Sequence, residues 1–207
     1  MKVLNIEAKI KNLNFFLSEE DVKKLPNKIF IVYSIQYKDI ANQIKKHLEK
    51  NKIKVTGLKQ ILGCSKLNIK YPILIIGSGR FHAMNLMLQS NEIYIFENNS
   101  LIKIPFKDIE IMRMRLKTSL LKFLSADNIG IIVSTKPGQA NLDLAIKIKE
   151  KLKSKNKNVF IFLSDNVDVS EFENFDIDSW INTACKGLSY NSPDIINYSD
   201  LKERKLL

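Results

Sequence analysis

The strongest constraint on this chain is its alternation of short, almost wholly apolar runs with stretches of helical period. Ile29–Tyr33 (IFIVY), Pro72–Ile76 (PILII), Glu92–Phe96 (EIYIF), Ile129–Val133 (IGIIV) and Val159–Leu163 (VFIFL) are rich in β-branched and aromatic residues. Their brevity and composition read as strands rather than helices. The near absence of polar alternation places such strands in sheets covered on both faces, which is the habit of parallel sheets. Between the runs, Asp39–Glu49 sets Ile40, Ile44 and Leu48 on one face. Lys107–Phe123 does the same with Ile109, Met112, Leu116, Leu120 and Phe123, and Phe81–Leu88 and Asn141–Leu152 are further helices. Asn98-Asn99, between Glu92–Phe96 and Leu101–Ile104, has the chemistry of a hairpin turn. Ser179–Ile181 reads as a short strand, and a helix closes the chain. Strand–helix–strand order of this kind predicts an α/β fold: two similar domains with parallel sheets flanked by helices.

A boundary is expected near Ala126–Asn128, giving an extension over residues 1–27 and domains over residues 28–126 and 127–207. The two halves echo each other. Each opens on a strand running into Ser (Ser34, Ser134), then a polar turn with Gln (Gln36, Gln139), a helix, and later a Cys after a small residue (Gly63-Cys64, Ala184-Cys185). Loops that follow parallel strands gather at one sheet edge, where ligands bind. Two sister units packed edge to edge would therefore bring both Cys-bearing loops to one site. In the extension, Ile6, Ile10, Leu13, Phe15, Phe16 and Leu17 are more apolar than a free tail needs, and Ser18 is placed to cap a helix. They would pack on this chain's own sheets or cover a face left by a missing neighbour.

Composition removes several classes. Of 207 residues 45% are hydrophobic, with only 7 Gly and 5 Pro, which excludes collagen-like and low-complexity chains. No apolar run approaches the roughly 18–20 residues of a membrane helix, and no secretory signal is evident, so a cytoplasmic protein without membrane association is expected. The net charge of +11 comes from Lys rather than Arg; Arg80, Arg113, Arg115 and Arg204 are the arginines. No RNP, GXXG or zinc-finger pattern accompanies the charge, and nucleic-acid binding is not expected. Two Cys so far apart in sequence give no disulfide framework, and without a CxxC pair or helpfully spaced His they give no zinc site.

Three segments can carry chemistry. Gly77-Ser78-Gly79-Arg80-Phe81-His82 follows a strand directly. Its glycines allow close backbone approach and Arg80 can clamp a carboxylate or phosphate, or the segment is simply a tight turn into a helix. His82 taken alone is a ligand-contacting or a structural residue. Ser134-Thr135-Lys136-Pro137-Gly138-Gln139 lies in the same position in the second half and reads equally as turn chemistry or as a ligand cradle; it lacks the spacing of a phosphate-binding P-loop. Cys64 and Cys185 are either small buried hydrophobes or thiolate ligands.

Taken together, KIFIVYSIQY (Lys28–Tyr37), QILGC (Gln60–Cys64), LIIGSGRFHAMNL (Leu74–Leu86), GIIVSTKPGQANLDLA (Gly130–Ala145) and SWINTAC (Ser179–Cys185) closely resemble the diphthamide synthesis family, in order and in rough spacing. The resemblance implies the following. Members have three similar α/β domains, each giving one Cys to a central 4Fe–4S cluster whose fourth iron binds S-adenosylmethionine. Reductive cleavage yields a 3-amino-3-carboxypropyl radical, which adds to C2 of a histidine imidazole in translation elongation factor 2. QILGC then carries the second-domain ligand, Cys64, and NTAC the third, Cys185. Gln36, Gly77, Ser78, Gly79, Arg80, His82, Ser134, Lys136, Gly138 and Gln139 become the candidates for contacting S-adenosylmethionine, with Arg80 or Lys136 facing its carboxylate. The first domain and its Cys have no counterpart here. The expectation is a transferase that is truncated or split and pairs, as a homo- or hetero-oligomer, with a chain supplying that domain; the alternative is a catalytically degenerate accessory subunit supporting a full-length homologue.

Overall fold

A computed structural model describes Ile10 and residues 16–77, 80–190 and 192–207. The chain divides into two compact units, Met1–Met112 and Arg113–Leu207.

In the first unit α1 (Glu19–Lys24) is capped by Ser18, whose Oγ accepts from the Asp21 N–H at 3.1 Å. The acidic first turn, Glu19 to Asp21, complements the positive end of the helix. There follow β1 (Lys28–Tyr33), α2 (Lys38–Lys50), β2 (Lys54–Gln60), β3 (Ile73–Ile76), α3 (Arg80–Met87), β4 (Ile93–Glu97) and β5 (Ser100–Lys103). The sheet order is β2-β1-β3-β4-β5, parallel except for the β4–β5 hairpin. That hairpin turns on Asn98 and Asn99, both at positive φ (50° and 58°), the left-handed pair that matches strand twist in a two-residue turn. One face of the sheet packs Ile29, Ile31 and Leu74 against Ile40, Ile44 and Leu48 of α2. The other packs Val32, Ile73, Ile75 and Ile93 against Ala83 and Leu86 of α3 and Ile109 of α4 (Phe106–Ser125), the helix that leads into the second unit. Strand β2, KVTGLKQ, is a half-exposed edge, so the apolar-run criterion passes over it.

The second unit contains β6 (Asn128–Ser134), α5 (Leu142–Lys153), β7 (Asn158–Ser164), β8 (Ser179–Asn182), β9 (Ile195–Asn197) and α6 (Tyr198–Glu203). Its sheet, β7-β6-β8-β9, is wholly parallel. Ile129, Ile131, Val133 and Ile181 pack beneath Ala145 and Ile148 of α5, Phe123 of α4 and Leu201 of α6. On the other face Ile132 and Ile195 cluster with Trp180, which packs there with Phe162 and Phe172. The Trp180 ring stacks on Phe172 at 4.1 Å and sits over Gly130, its register partner, where an added Cβ would fall 2.4 Å from the ring.

The expected α/β class with parallel-dominated, helix-flanked sheets is thus what the chain adopts. In both units the chain leaves a central strand (β1, β6), places the next on one side (β2, β7) and the third on the other (β3, β8). The crevice outside the carboxyl ends of strands at such a reversal is where open α/β sheets bind ligands. Among the described residues no helix is long and apolar enough to cross a membrane.

Candidate functional site

In the second unit the crevice is a built cleft of about 250 Å³. Ser134, Lys136 and Gln139 line it from the loop after β6, Asp165 and Asn166 from the loop after β7, and Ala184, Cys185 and Leu188 from the segment after β8. Four residues singled out from sequence, Ser134, Lys136, Gln139 and Cys185, are therefore brought together. The β6 loop is shaped by its own chemistry. Ser134 is buried and its Oγ accepts from the Lys136 N–H at 3.2 Å. Pro137 and Gly138 occupy the centre of a turn closed by the Gln139 N–H on the Lys136 carbonyl at 3.0 Å. Gly138 has φ +79°, which the third position of a type II turn requires and which favours glycine. No atom comes within 4 Å of its virtual Cβ, so Gly138 serves backbone geometry rather than close approach.

Two side-chain bonds tie the β6 loop to the β7 loop: Thr135 Oγ1 donates to Asp165 at 2.7 Å and Lys136 Nζ donates to Asn166 Oδ1 at 2.7 Å. The lining thus holds both a cation and a carboxylate. Such a pair complements a ligand group that itself carries both signs, as an amino-acid moiety does. Cys185 is a free, half-buried thiol. Its segment is fixed from behind by Asn182, which donates to the Cys185 carbonyl at 2.7 Å, while Asn141 donates to the Thr183 carbonyl at 2.9 Å.

In the first unit Gly77 ends β3 with φ +144°, a conformation L side chains rarely adopt. A Cβ there would meet the Ser34 hydroxyl at 2.9 Å and the Tyr37 ring at 3.3 Å, so glycine lets the β3 loop close on the short 3-10 turn (Ile35–Tyr37) that exposes Gln36. Ser78, Gly79 and the side chain of Arg80 lie outside the described residues. His82, on the first turn of α3, is half-buried, and burial pushes its imidazole below the ordinary value. Cys64 is free and exposed, on the loop after β2. That loop is held to α3 and the turn that follows it: Asn85 and Gln89 donate to the Ser65 carbonyl at 2.7 and 3.2 Å, and the Leu67 N–H donates to Gln89 Oε1 at 2.7 Å.

Sequence reasoning passed over Asn85, Gln89, Asn141, Asp165, Asn166 and Asn182. For Asn182 a signal existed, since a polar residue closing the apolar run SWIN is buried by the strand's own geometry. For Asp165 and Asn166 there was none, because they act only across strands.

Residues 1–199 match the family model for diphthamide synthesis proteins. The chain belongs to the diphthamide synthesis family. It is 25% identical over 177 residues to the 2-(3-amino-3-carboxypropyl)histidine synthase of Pyrococcus horikoshii, covering 80% of this chain and 52% of that protein. The fold is similar to two crystal structures of Dph2 from Pyrococcus horikoshii, one with a 4Fe–4S cluster, each at a TM-score of 0.71. Identities are 23% and 22%, over 89% of this chain and 58% and 59% of those chains. This family member thus spans little more than half the length of the relatives it matches.

The chemistry of its donors fits an iron–sulfur cluster in kind. Thiolates are the ordinary protein ligands of such clusters, and both thiols are free, solvent-reachable and carried on loops anchored by buried or half-buried amides. Among the described residues no group of three or more His, Cys, Asp or Glu gathers to hold a metal. Each unit of this diphthamide synthesis family member carries a single cysteine.

Proposed function

We propose that this chain takes part in the first step of diphthamide biosynthesis, the transfer of a 3-amino-3-carboxypropyl group from S-adenosylmethionine to a histidine of translation elongation factor 2. The observation that carries the reading is the cleft of the second unit, where Ser134, Lys136, Gln139 and Cys185 meet at the carboxyl ends of parallel strands. Cys64 and Cys185 act as ligands to a 4Fe–4S cluster, and the third thiolate comes from a further chain. When bound, such a cluster supplies the single electron for reductive cleavage of S-adenosylmethionine. Lys136, steadied by Asn166, faces the carboxylate of the methionyl group, and Asp165 its ammonium. Gln36, Gly77, Ser78, Gly79, Arg80 and His82 are the first unit's candidates for contacting S-adenosylmethionine.

The test is anaerobic reconstitution with iron and sulfide. The expected result is a brown protein whose iron and sulfide content falls in both Cys64→Ser and Cys185→Ser. A protein that stays colourless even beside its cognate partner overturns the reading. A second reading, an accessory subunit supporting a full-length homologue, is favoured by the two cysteines of this sequence, against the three ligands that the family resemblance implies. It predicts a co-purifying partner with three cluster cysteines whose activity survives both substitutions.

A further inference from the structure

The polar residues behind Cys185 are more deeply buried than the cysteine itself. Asn182 ends β8 and Asn197 ends β9, and the parallel register sets them side by side. They are 2% and 4% exposed. Burying a polar amide is unfavourable unless each of its groups finds a partner, and here each does. Asn182 Nδ2 donates to Asn197 Oδ1 at 2.8 Å and to the Cys185 carbonyl at 2.7 Å, while its Oδ1 accepts from the Ala184 N–H at 2.9 Å. Asn197 Nδ2 donates to Ser189 Oγ at 2.6 Å and to Asp200 Oδ2 at 3.2 Å. Ser189 Oγ donates in turn to the Lys186 carbonyl at 3.0 Å.

A pair that served only to join β8 to β9 would add little to a backbone ladder already in place. These bonds instead leave the strands and end on Ala184, Cys185 and Ser189, the segment that walls the cleft. With the preceding N–H and its own carbonyl both held, Cys185 is left with rotation about χ1 as the main freedom of its sulfur. A fully satisfied buried network of this kind rigidifies what it holds. We propose that Asn182 and Asn197 are positioning residues that fix where Cys185 presents its sulfur in the cleft. The purpose of the device rests on the reading of Cys185 as a cluster ligand; its existence does not.

The experiment uses the intact chain, metal-free and reduced, with iodoacetamide as the probe. Alkylation rates at Cys185 and Cys64 are read by peptide mass spectrometry, and Cys64, held by a different unit, is the internal reference. Asn182→Asp keeps the acceptor for Ala184 but turns an oxygen toward two carbonyl or amide oxygens. Asn197→Asp sets a carboxylate against Asp200. Each is expected to raise the Cys185 to Cys64 rate ratio by at least about fivefold, the weight of one buried hydrogen bond. The double variant Asn197→Asp with Asp200→Asn exchanges donor and acceptor and should bring the ratio back toward that of the parent chain. Folded single variants with an unchanged ratio overturn the proposal. If either fails to fold, Ser189→Ala takes its place, since it removes only the hydroxyl bridging Asn197 to Lys186; a raised ratio supports the proposal and an unchanged one overturns it. Iron uptake of the unsubstituted chain is measured separately. A shifted ratio without iron uptake leaves the positioning role standing and removes the cluster reading, and iron uptake with an unmoved ratio does the reverse.

Discussion

The two units share a strand plan and differ in where they carry their chemistry. Both reverse direction around a central strand, and both place a Ser at the end of it and a Gln in the loop beyond. In the second unit the Cys follows the third strand, β8; in the first it follows the second strand, β2, and the loop after the third strand is instead the glycine-rich Gly77–Arg80 segment. The anchoring differs accordingly. Cys185 is tied to strand ends by Asn182, whereas the Cys64 loop is tied to α3 by Asn85 and to the turn after it by Gln89. A shared sheet edge thus fixes where ligands can go, without fixing which connection delivers the thiol. The covering of the second face also differs: α3 and α4 in the first unit, a cluster of aromatic rings around Trp180 in the second.

That difference in covering sets the largest expected effect. Trp180 is buried and touches Phe162, Phe172 and Phe175. Trp180→Ala should destabilise the second unit by about 3–5 kcal/mol, since the rings it leaves cannot close the gap. Leu86→Ala in α3, on the helix-covered face, should lie nearer about 2–3 kcal/mol. Urea unfolding followed by far-UV circular dichroism reads both, and equal losses would break the contrast.

Each unit also seats an aromatic ring over a glycine on the neighbouring strand, and this sharpens the comparison. Gly130 lies under Trp180, and Gly57 under Phe30, where an added Cβ would fall 2.3 Å from the ring. Gly130→Ala should cost about 1–3 kcal/mol, because the ring above it is enclosed and cannot shift without strain. Gly57→Ala should cost less, about 1 kcal/mol, because Phe30 is only half-buried beside an edge strand and can swing outward. The midpoint of unfolding is the measurement; a Gly57→Ala loss as large as that of Gly130→Ala would show that the edge is as rigid as the interior.

Much of this was legible in the residues. Strands β1, β3, β4, β6, β7 and β8 declare themselves by apolar runs, and the Asn98-Asn99 turn by its chemistry. β2 and β9 do not. The first is an edge strand diluted by Lys54, Lys59 and Gly57, and the second is only Ile195–Asn197, held by register with β8 rather than by length. The cleft was legible as far as Ser134, Lys136, Gln139 and Cys185, because loop residues after strands are the chemistry-bearing ones. The anchors Asn197 and Asn85 were not, because a buried amide is read from its partners, and those lie on other elements.

The last contrast is in proton linkage, and it is the smallest. Both histidines of the chain, His47 and His82, fall in the first unit. Burial holds the His82 imidazole below its ordinary value of 6.5. In the window just below that value the unfolded chain binds more protons at this site than the folded one, so folding stability rises with pH there. The contribution is whole above about pH 6.5 and is lost as pH falls through the depressed folded value. His82→Gln should therefore flatten the dependence of the unfolding midpoint between mildly acidic and neutral pH, while Gly130→Ala shifts the midpoint equally across that range. An unaltered slope in His82→Gln would move the origin of any acid sensitivity elsewhere. Protonating His82 carries the desolvation cost that burial puts on its charged form, and His82 lies on the helix whose Asn85 holds the Cys64 loop. Limited proteolysis at mildly acidic pH should accordingly cut within residues 61–72 before it reaches the Cys185 segment, whose anchors lie on β8 and β9 and contain no histidine.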